Sequence, residues 1–274
     1  MNHGVDYSRL FRLDNKRAVV VGAGSGLGRE AALALVAHGA SVICVDRDVV
    51  AAEETATLCQ RQLGAGGGEA LVRAEVLDVT DAAAVAAAPQ RFGHPDVLIH
   101  TPAMNVRKSI LEYSSQEVDS VIDLNLKATF WVLRAFGDSM VQHQRGSIVV
   151  LSSIRSRVVE PGQGVYGATK AAVESLVRSA ASEFSSHGVR VNAVAPGVVA
   201  TPLTQQVRDD AEWNQRYISQ SAIGRWAQPE ELVGALVYLA SDAASYVTGS
   251  VLTVDGGWTA VDGGTSQAAS PKRE

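Results

Sequence analysis

Tyr166 and Lys170 stand four residues apart in a stretch with helical spacing. That spacing puts both side chains on one helix face. An ammonium beside a phenol favours the phenolate and lowers a pKa that is ordinarily near 10. A tyrosine tuned in this way can exchange a proton with an alcohol or a ketone. Without further context the pair is an ordinary surface Tyr/Lys contact. Ser153 lies thirteen residues before Tyr166 and follows an apolar run. A hydroxyl there could hydrogen-bond the reacting oxygen, with Ser152 as the neighbouring alternative. Asn125 falls inside a long helical pattern, where asparagine is a mediocre former. It reads either as a buried polar residue with a local partner or as the holder of a water in line with the lysine.

A second chemistry is written in Val21-Gly22-Ala23-Gly24-Ser25-Gly26-Leu27-Gly28. The GxGxxG spacing fails, because Leu27 occupies its last glycine position. GxxxGxG fits at Gly22, Gly26 and Gly28. Missing Cβ atoms permit a tight turn and let backbone N–H groups approach a pyrophosphate at a helix N-terminus. A purely structural glycine turn is the plain alternative. About twenty residues further on, the run Val42 to Val45 ends in Asp46. A carboxylate there can accept hydrogen bonds from an adenosine ribose and would repel a 2′-phosphate. The expectation is NAD in preference to NADP, with Arg47 leaving some room for NADP.

These residues need a frame, and the hydrophobic pattern supplies one. Short strand patterns, most of them apolar, occur at Ala18–Val21, Val42–Val45, Ala70–Val76, Val97–Ile99, Ser147–Leu151, Val189–Val194 and Val251–Val254. Helical patterns alternate with them at Arg29–His38, Ala51–Leu63, Ser115–Gln142, Val165–Ser185 and Glu231–Ala240. Asp81 can cap a short alanine-rich helix that Pro89 should end or kink. Gly64 to Gly68 breaks the second helix. Continuous apolar strands alternating with helices predict a parallel sheet covered on both faces. The expected fold is α/β, a single-domain Rossmann-type doubly wound sheet of about seven strands. It spans residues 1–262, with 263–274 as a flexible C-terminal tail. Ligands in such folds bind at the carboxyl ends of the strands, which is where the residues above fall.

Composition narrows the partners. The chain has 274 residues, 46% hydrophobic and 19% charged, so disorder is excluded. A net charge of −5 argues against a nucleic-acid partner. Cys44 and Cys59 cannot form a disulfide framework, and the histidines show no metal-ligand spacing. No apolar run reaches the length of a membrane span and no signal peptide is legible, so a cytoplasmic location is expected.

Jointly, these motifs resemble the short-chain dehydrogenase/reductase family over roughly Leu10 to Trp258. The resemblance also rests on Asp78 in Leu77-Asp78-Val79-Thr80, on Asn192-Ala193-Val194-Ala195-Pro196-Gly197, and on Tyr246-Val247-Thr248-Gly249 with Asp255-Gly256-Gly257. It implies Tyr166 as general acid/base, with Lys170 lowering its pKa and holding the nicotinamide ribose. It further implies Ser153 orienting the substrate oxygen and Asn125 placing a relay water. Asp78 and Val79 would hold the adenine, and Pro196, Gly197, Val199 and Thr201 the nicotinamide amide. The remaining cofactor contacts would come from Gly22, Ser25, Gly26, Leu27, Gly28, Asp46 and Arg47. A homotetramer is implied as well. Three departures stand out. Val21 replaces a usual threonine, so a loop hydrogen bond is lost. His100-Thr101-Pro102-Ala103 replaces Asn-Asn-Ala-Gly, where Pro102 lacks an N–H and Ala103 disfavours positive φ. The helix after Asp81 is short.

The substrate wall should come from the segments after the fourth strand, after Ser153 and after Gly197. These carry Asn105, Arg107 and Lys108; Arg155 and Arg157; and a polar flap, Thr201 to Tyr217, with Gln205, Gln206, Arg208 and Trp213. Such a flap suits a polar substrate, and arginines can clamp a carboxylate bidentately. The candidates for substrate contact are Arg107, Ser153, Arg155, Gln163 and Tyr166. Thr204-Gln205-Gln206, Gly224-Arg225-Trp226 and Asp255-Gly256-Gly257-Trp258 resemble the sugar-acid branch of the family, which includes gluconate 5-dehydrogenase and 2-dehydro-3-deoxy-gluconate 5-dehydrogenase. The expected partner is therefore a small-molecule alcohol or ketone of gluconate type. A 3-oxoacyl-thioester reductase is the alternative enzyme. A silent NAD-binding sensor or scaffold is the alternative of another class.

Overall fold

The computed structural model describes residues 6–63 and 71–261. The glycine run 64–68 and the expected tail at 263–274 lie outside the described residues. Seven strands form one parallel sheet: β1 (Arg17–Val21), β2 (Ser41–Asp46), β3 (Val72–Val76), β4 (Val97–His100), β5 (Gly146–Leu151), β6 (Val189–Pro196) and β7 (Val251–Val254). Their order is β3-β2-β1-β4-β5-β6-β7. The chain winds outward from β1 in one direction and, after β3, crosses to β4 and winds in the other. The carboxyl ends of β1 and β4 therefore flank the switch point, the crevice where ligands settle in such sheets.

Alternation along β1 shows why the strands are apolar on both sides. Val19 and Val21 enter one core with Phe92, Val132, Phe136 and Val177. Ala18 and Val20 enter the other with Ala31, Leu35, Cys59 and Leu236. The first core lies under α3 (Ala82–Phe92), α5 (Ala128–Gln142) and α6 (Gly164–Phe184). The second lies under α1 (Gly26–Ala37), α2 (Val49–Leu63) and α9 (Val233–Ala240). A third, smaller cluster joins Ile154, Val198, Val207, Tyr217, Trp226 and Trp258. It seats the segment after β6, where α7 (Gln205–Asp209) and α8 (Ala211–Gln220) lie.

Two expected helices differ in detail. The long one at Ser115–Gln142 is split into α4 (Ser115–Ile122), one π-helical turn at Asp123–Lys127, and α5. A π turn carries one extra residue and commonly marks a functional site; here it contains Asn125. The alanine-rich helix does not end at Pro89 but continues to Phe92, where Gly93 caps it in the left-handed conformation. Asp81 accepts from Ala83 and Ala84 N–H at its start, and buried Pro89 and Phe92 hold its last turn to the core.

Candidate active site

The β1–α1 turn is a cradle that only glycine permits. Gly22 has φ +84°, and a Cβ on Gly28 would lie 2.0 Å from the Gly22 carbonyl oxygen. The turn opens on a cavity of about 640 Å³. Gly22, Ser25, Gly26, Leu27 and Gly28 line it from the turn, and Asp46 and Arg47 from the end of β2. Asp78 and Val79 line it from beyond β3. The Asp46 carboxylate accepts from Gly24 N at 2.9 Å and from Asp48 N at 3.1 Å, which ties it to the rim of the turn. Asp78 accepts the Thr80 hydroxyl at 2.7 Å and the Thr80 N–H at 2.9 Å, and these bonds hold its carboxyl below the usual range. An elongated dinucleotide fits this space, with exposed turn N–H groups at one end and an acid at the other.

The divergent segment after β4 keeps its hold on the turn. Thr101 donates its hydroxyl to Val21 O at 2.9 Å, and its N–H reaches the same carbonyl at 3.0 Å. Val21 offers no side-chain hydroxyl, so Thr101 supplies a side-chain bond from the other side. Ala103 does not take up positive φ. The Asn125 side chain closes the segment from beneath: Oδ1 accepts Met104 N at 2.9 Å, and Nδ2 donates to Met104 O at 2.9 Å and to Thr169 Oγ1 at 3.2 Å. Asn125 thus has the local partners of the plainer reading, and it links the post-β4 segment to α6 one residue before Lys170. Beneath it, the Thr129 hydroxyl donates to Asn125 O at 2.7 Å, which leaves it to accept from His100 Nε2 at 3.2 Å. Burial and the Lys170 charge push His100 down to about 3, so the imidazole is neutral.

A second cavity, about 120 Å³, adjoins the first. Leu27, Thr101, Ala103, Thr201 and Leu203 border both. The smaller one is lined by Ser153, Tyr166, Lys170, Pro196, Gly197 and Val199, and also by Arg107, Arg155 and Gln163. Tyr166 and Lys170 come from α6 with Gln163 just before it, Ser153 and Arg155 from the β5 end, and Pro196, Gly197 and Val199 from the β6 end. Ser152, the alternative serine, spends its hydroxyl on Glu174 Oε1 at 3.0 Å. Ser153 lines the same cavity as Tyr166, and its hydroxyl accepts the Arg155 N–H at 3.2 Å, which leaves its own proton to donate. Burial raises the Tyr166 pKa, partly offset by the Ser153 hydrogen bond and by the charges of Arg155 and Arg107. The expected lowering by Lys170 is not the dominant effect in the protein alone: the ammonium lies 5.7 Å from the ring centroid and donates to Leu151 O at 2.8 Å. Burial lowers Lys170 itself to about 8.

The arginines are less free than the sequence suggests. Arg155 Nη2 lies 2.8 Å from Glu160 Oε2 and Arg107 Nη1 lies 3.6 Å from the same oxygen. That oxygen also accepts the Tyr217 hydroxyl at 2.5 Å and the Gln163 amide. Asn105 donates to Gln163 Oε1 at 2.8 Å. Tyr217 stacks on Trp226 at 5.4 Å, and the Arg155 guanidinium sits 5.2 Å from the Trp258 ring centroid. Lys108 and Arg157 are turned to other partners, Glu117 at 2.5 Å and Glu174 at 3.8 Å. Glu160 and Tyr217 escaped the sequence reading, because no spacing rule joins a loop acid to a tyrosine on a distant helix. The aromatic ends of Gly224-Arg225-Trp226 and Asp255-Gly256-Gly257-Trp258 were the available hint.

A dinucleotide-sized crevice beside a buried Ser/Tyr/Lys group defines the protein as a nicotinamide-dependent oxidoreductase of CH–OH groups. A family model described as Enoyl-(Acyl carrier protein) reductase matches residues 22–259, and the chain belongs to the short-chain dehydrogenase/reductase family. It is 39% identical to the galactitol 2-dehydrogenase (L-tagatose-forming) of Cereibacter sphaeroides, covering 93% of this chain and 99% of that one. It is 37% identical to the gluconate 5-dehydrogenase of Gluconobacter oxydans, covering 91% and 97%. Its fold matches the crystal structure of a gluconate 5-dehydrogenase from Burkholderia cenocepacia in complex with NADP and tartrate. The TM-score there is 0.87 at 31% identity, over 93% of this chain and 99% of that chain. Among the described residues no helix is long and apolar enough to cross a membrane.

Proposed function

We propose that the protein interconverts a secondary alcohol and a ketone on a small polyhydroxylated substrate, a sugar acid of gluconate type, using NAD(H). The observation that carries this reading is the convergence of Tyr166, Ser153, Arg107 and Arg155 on one cavity. Asn105, Arg107, Arg155 and Gln163 stand in its wall, and a fatty acyl chain would leave these polar groups without partners. The relatives named for galactitol and gluconate support the same substrate class.

In this reading the nicotinamide, when bound, accepts or supplies the hydride. Ser153 donates to the substrate oxygen and holds it against Tyr166. In reduction Tyr166 gives its hydroxyl proton to that oxygen; in oxidation its phenolate takes the proton away. Its raised pKa keeps Tyr166 protonated at neutral pH in the protein alone, ready as the acid. Lys170, cationic below about pH 8, favours the phenolate when oxidation requires it and would hold a ribose hydroxyl of the bound cofactor. Asn125 positions Met104 and Thr169 beside them. Asp46 disfavours a 2′-phosphate, while Arg47 on the same rim could meet one, so NAD is preferred and NADP tolerated. We further propose a cytoplasmic homotetramer, the assembly that the family resemblance implies.

The test is reduced-nicotinamide absorbance with NAD⁺ or NADP⁺ against gluconate-type acids, alditols, simple secondary alcohols and hydroxyacyl thioesters. Turnover of sugar acids with a higher kcat/KM for NAD⁺ is expected. Turnover of thioesters alone would overturn the substrate assignment. Tyr166→Phe should reduce kcat by about 10²–10⁴, the range of a general acid/base, while NADH still binds. Full turnover by that variant would remove Tyr166 from its role.

A further inference from the structure

Glu160 is absent from the cavity lining, yet it organises that lining. Its Oε2 receives Arg155 at 2.8 Å and Tyr217 at 2.5 Å, with Arg107 at 3.6 Å and the Gln163 amide beside them. All four donors face the cavity, and they come from three separate parts of the chain. The three charged side chains are largely buried, at 15%, 9% and 13% exposure for Arg107, Arg155 and Glu160. Two guanidiniums sharing such a site would repel each other strongly without a carboxylate between them. With Glu160 present, two positive charges meet one negative charge. One positive charge is left over on the substrate side.

We infer that Glu160 sets the charge of the substrate this wall accepts, making it selective for a single negative charge. It acts from behind the lining, as a positioning and specificity-determining residue. A neutral polyol leaves the surplus charge unanswered. A monocarboxylate answers it. A dicarboxylate brings a second negative charge against Glu160 itself. The inference rests on the reading of this wall as the seat of a polyol or sugar acid.

Three six-carbon probes differ mainly in charge: galactitol, gluconate and glucarate. Each is titrated calorimetrically into the enzyme saturated with NADH, and kcat/KM is measured wherever a probe turns over. Wild type should favour gluconate. Glu160→Gln keeps the shape and adds one positive charge, so binding of glucarate relative to galactitol should rise about tenfold. Arg107→Gln removes one positive charge, so the same ratio should fall about tenfold. Opposite signs are a signature that general damage to the wall does not imitate. If Glu160→Gln does not fold, the Arg107→Gln ratio decides alone. A ratio that stays within about twofold, or moves the same way in both variants, overturns the inference and leaves the substrate reading standing. Failure of all three probes to bind wild type overturns both.

Discussion

The two cavities share a border at Leu27, Thr101 and Thr201 but are built by different means. The larger is shaped by backbone. Strand ends, a turn without Cβ atoms and a carboxylate held by two main-chain N–H groups give it its form. The smaller is shaped by side chains that hold one another. One glutamate oxygen gathers donors from the post-β4 segment, from Arg155 and Gln163, and from α8. A backbone-built site is as rigid as the sheet behind it. A site built from side chains on loops can change its chemistry by single substitutions while the sheet stays as it is. Such a division lets one cofactor site serve many substrates.

The strongest way to break this contrast is at Gly28. A Cβ there would meet the Gly22 carbonyl oxygen at 2.0 Å and its carbon at 2.6 Å, and backbone cannot step aside as a flexible side chain would. Gly28→Ala should raise the Kd for NADH by at least about tenfold, read by fluorescence titration. Gluconate binding to the protein without cofactor should stay within about twofold. Equal losses at both sites would show that the two regions are one mechanical unit.

His100 probes the seam between them. It closes β4 beneath Asn125, 2% exposed, and its Nδ1 finds no partner among the described residues. Its pKa falls from 6.5 to about 3 through burial and the Lys170 charge. The unfolded chain therefore takes up a proton as pH drops below 6.5, and the folded chain does not until about pH 3. Between those values His100 costs stability as pH falls, by ~1.4 kcal/mol per pH unit at most. Urea unfolding of wild type and His100→Asn should diverge in that sense below pH 6.5 and run parallel above it. Parallel curves throughout would mean that the imidazole is protonated in place.

How much of this could be read beforehand follows the same division. The glycine turn, Asp46, Tyr166 and Lys170 were legible because each depends on local spacing along one strand–turn–helix or one helix face. β1, β2, β4 and β5 were legible because burial on both sheet faces demands continuous apolar runs, whereas β3, with Arg73 and Glu75, and β6, with Arg190 and Asn192, were read from their place in the strand–helix alternation. The π turn at Asn125 was not: one extra residue in a helix leaves no mark in a 3.6-residue period. Pro89 was read as a stop or a kink because local propensity says so, and the stop is overridden where buried Pro89 and Phe92 pack inside the helix. Arg155 was found but its partner was not. Glu160 lies in the same loop after β5, and a loop has no fixed period that would show which of its side chains meet; Tyr217 then joins the pair from α8.

The gentlest test of the contrast is Tyr217→Phe. The ring would keep its 5.4 Å stack on Trp226 and its edge contact with Trp258 at 5.4 Å, so α8 stays docked. The hydroxyl's 2.5 Å bond to Glu160 is lost, together with the long 3.5 Å bond it accepts from the Gln163 amide. Burial and that bond both raise the Tyr217 pKa, so the wild-type group is a donor at every pH at which the enzyme would be assayed. A hydrogen bond to a charged group contributes about 1.5–3 kcal/mol where it is buried, and less here because Oε2 keeps Arg155 and Gln163. The expected result is a KM for the sugar acid raised by roughly threefold to tenfold, with kcat nearly unchanged, since the bond serves bound substrate and transition state alike. The Kd for NADH should stay within about twofold, because Tyr217 lines the smaller cavity and not the larger one. A drop in kcat at constant KM would instead place Tyr217 in the chemistry of the reacting oxygen, and the side-chain wall would then be more than a seat for the substrate's far end.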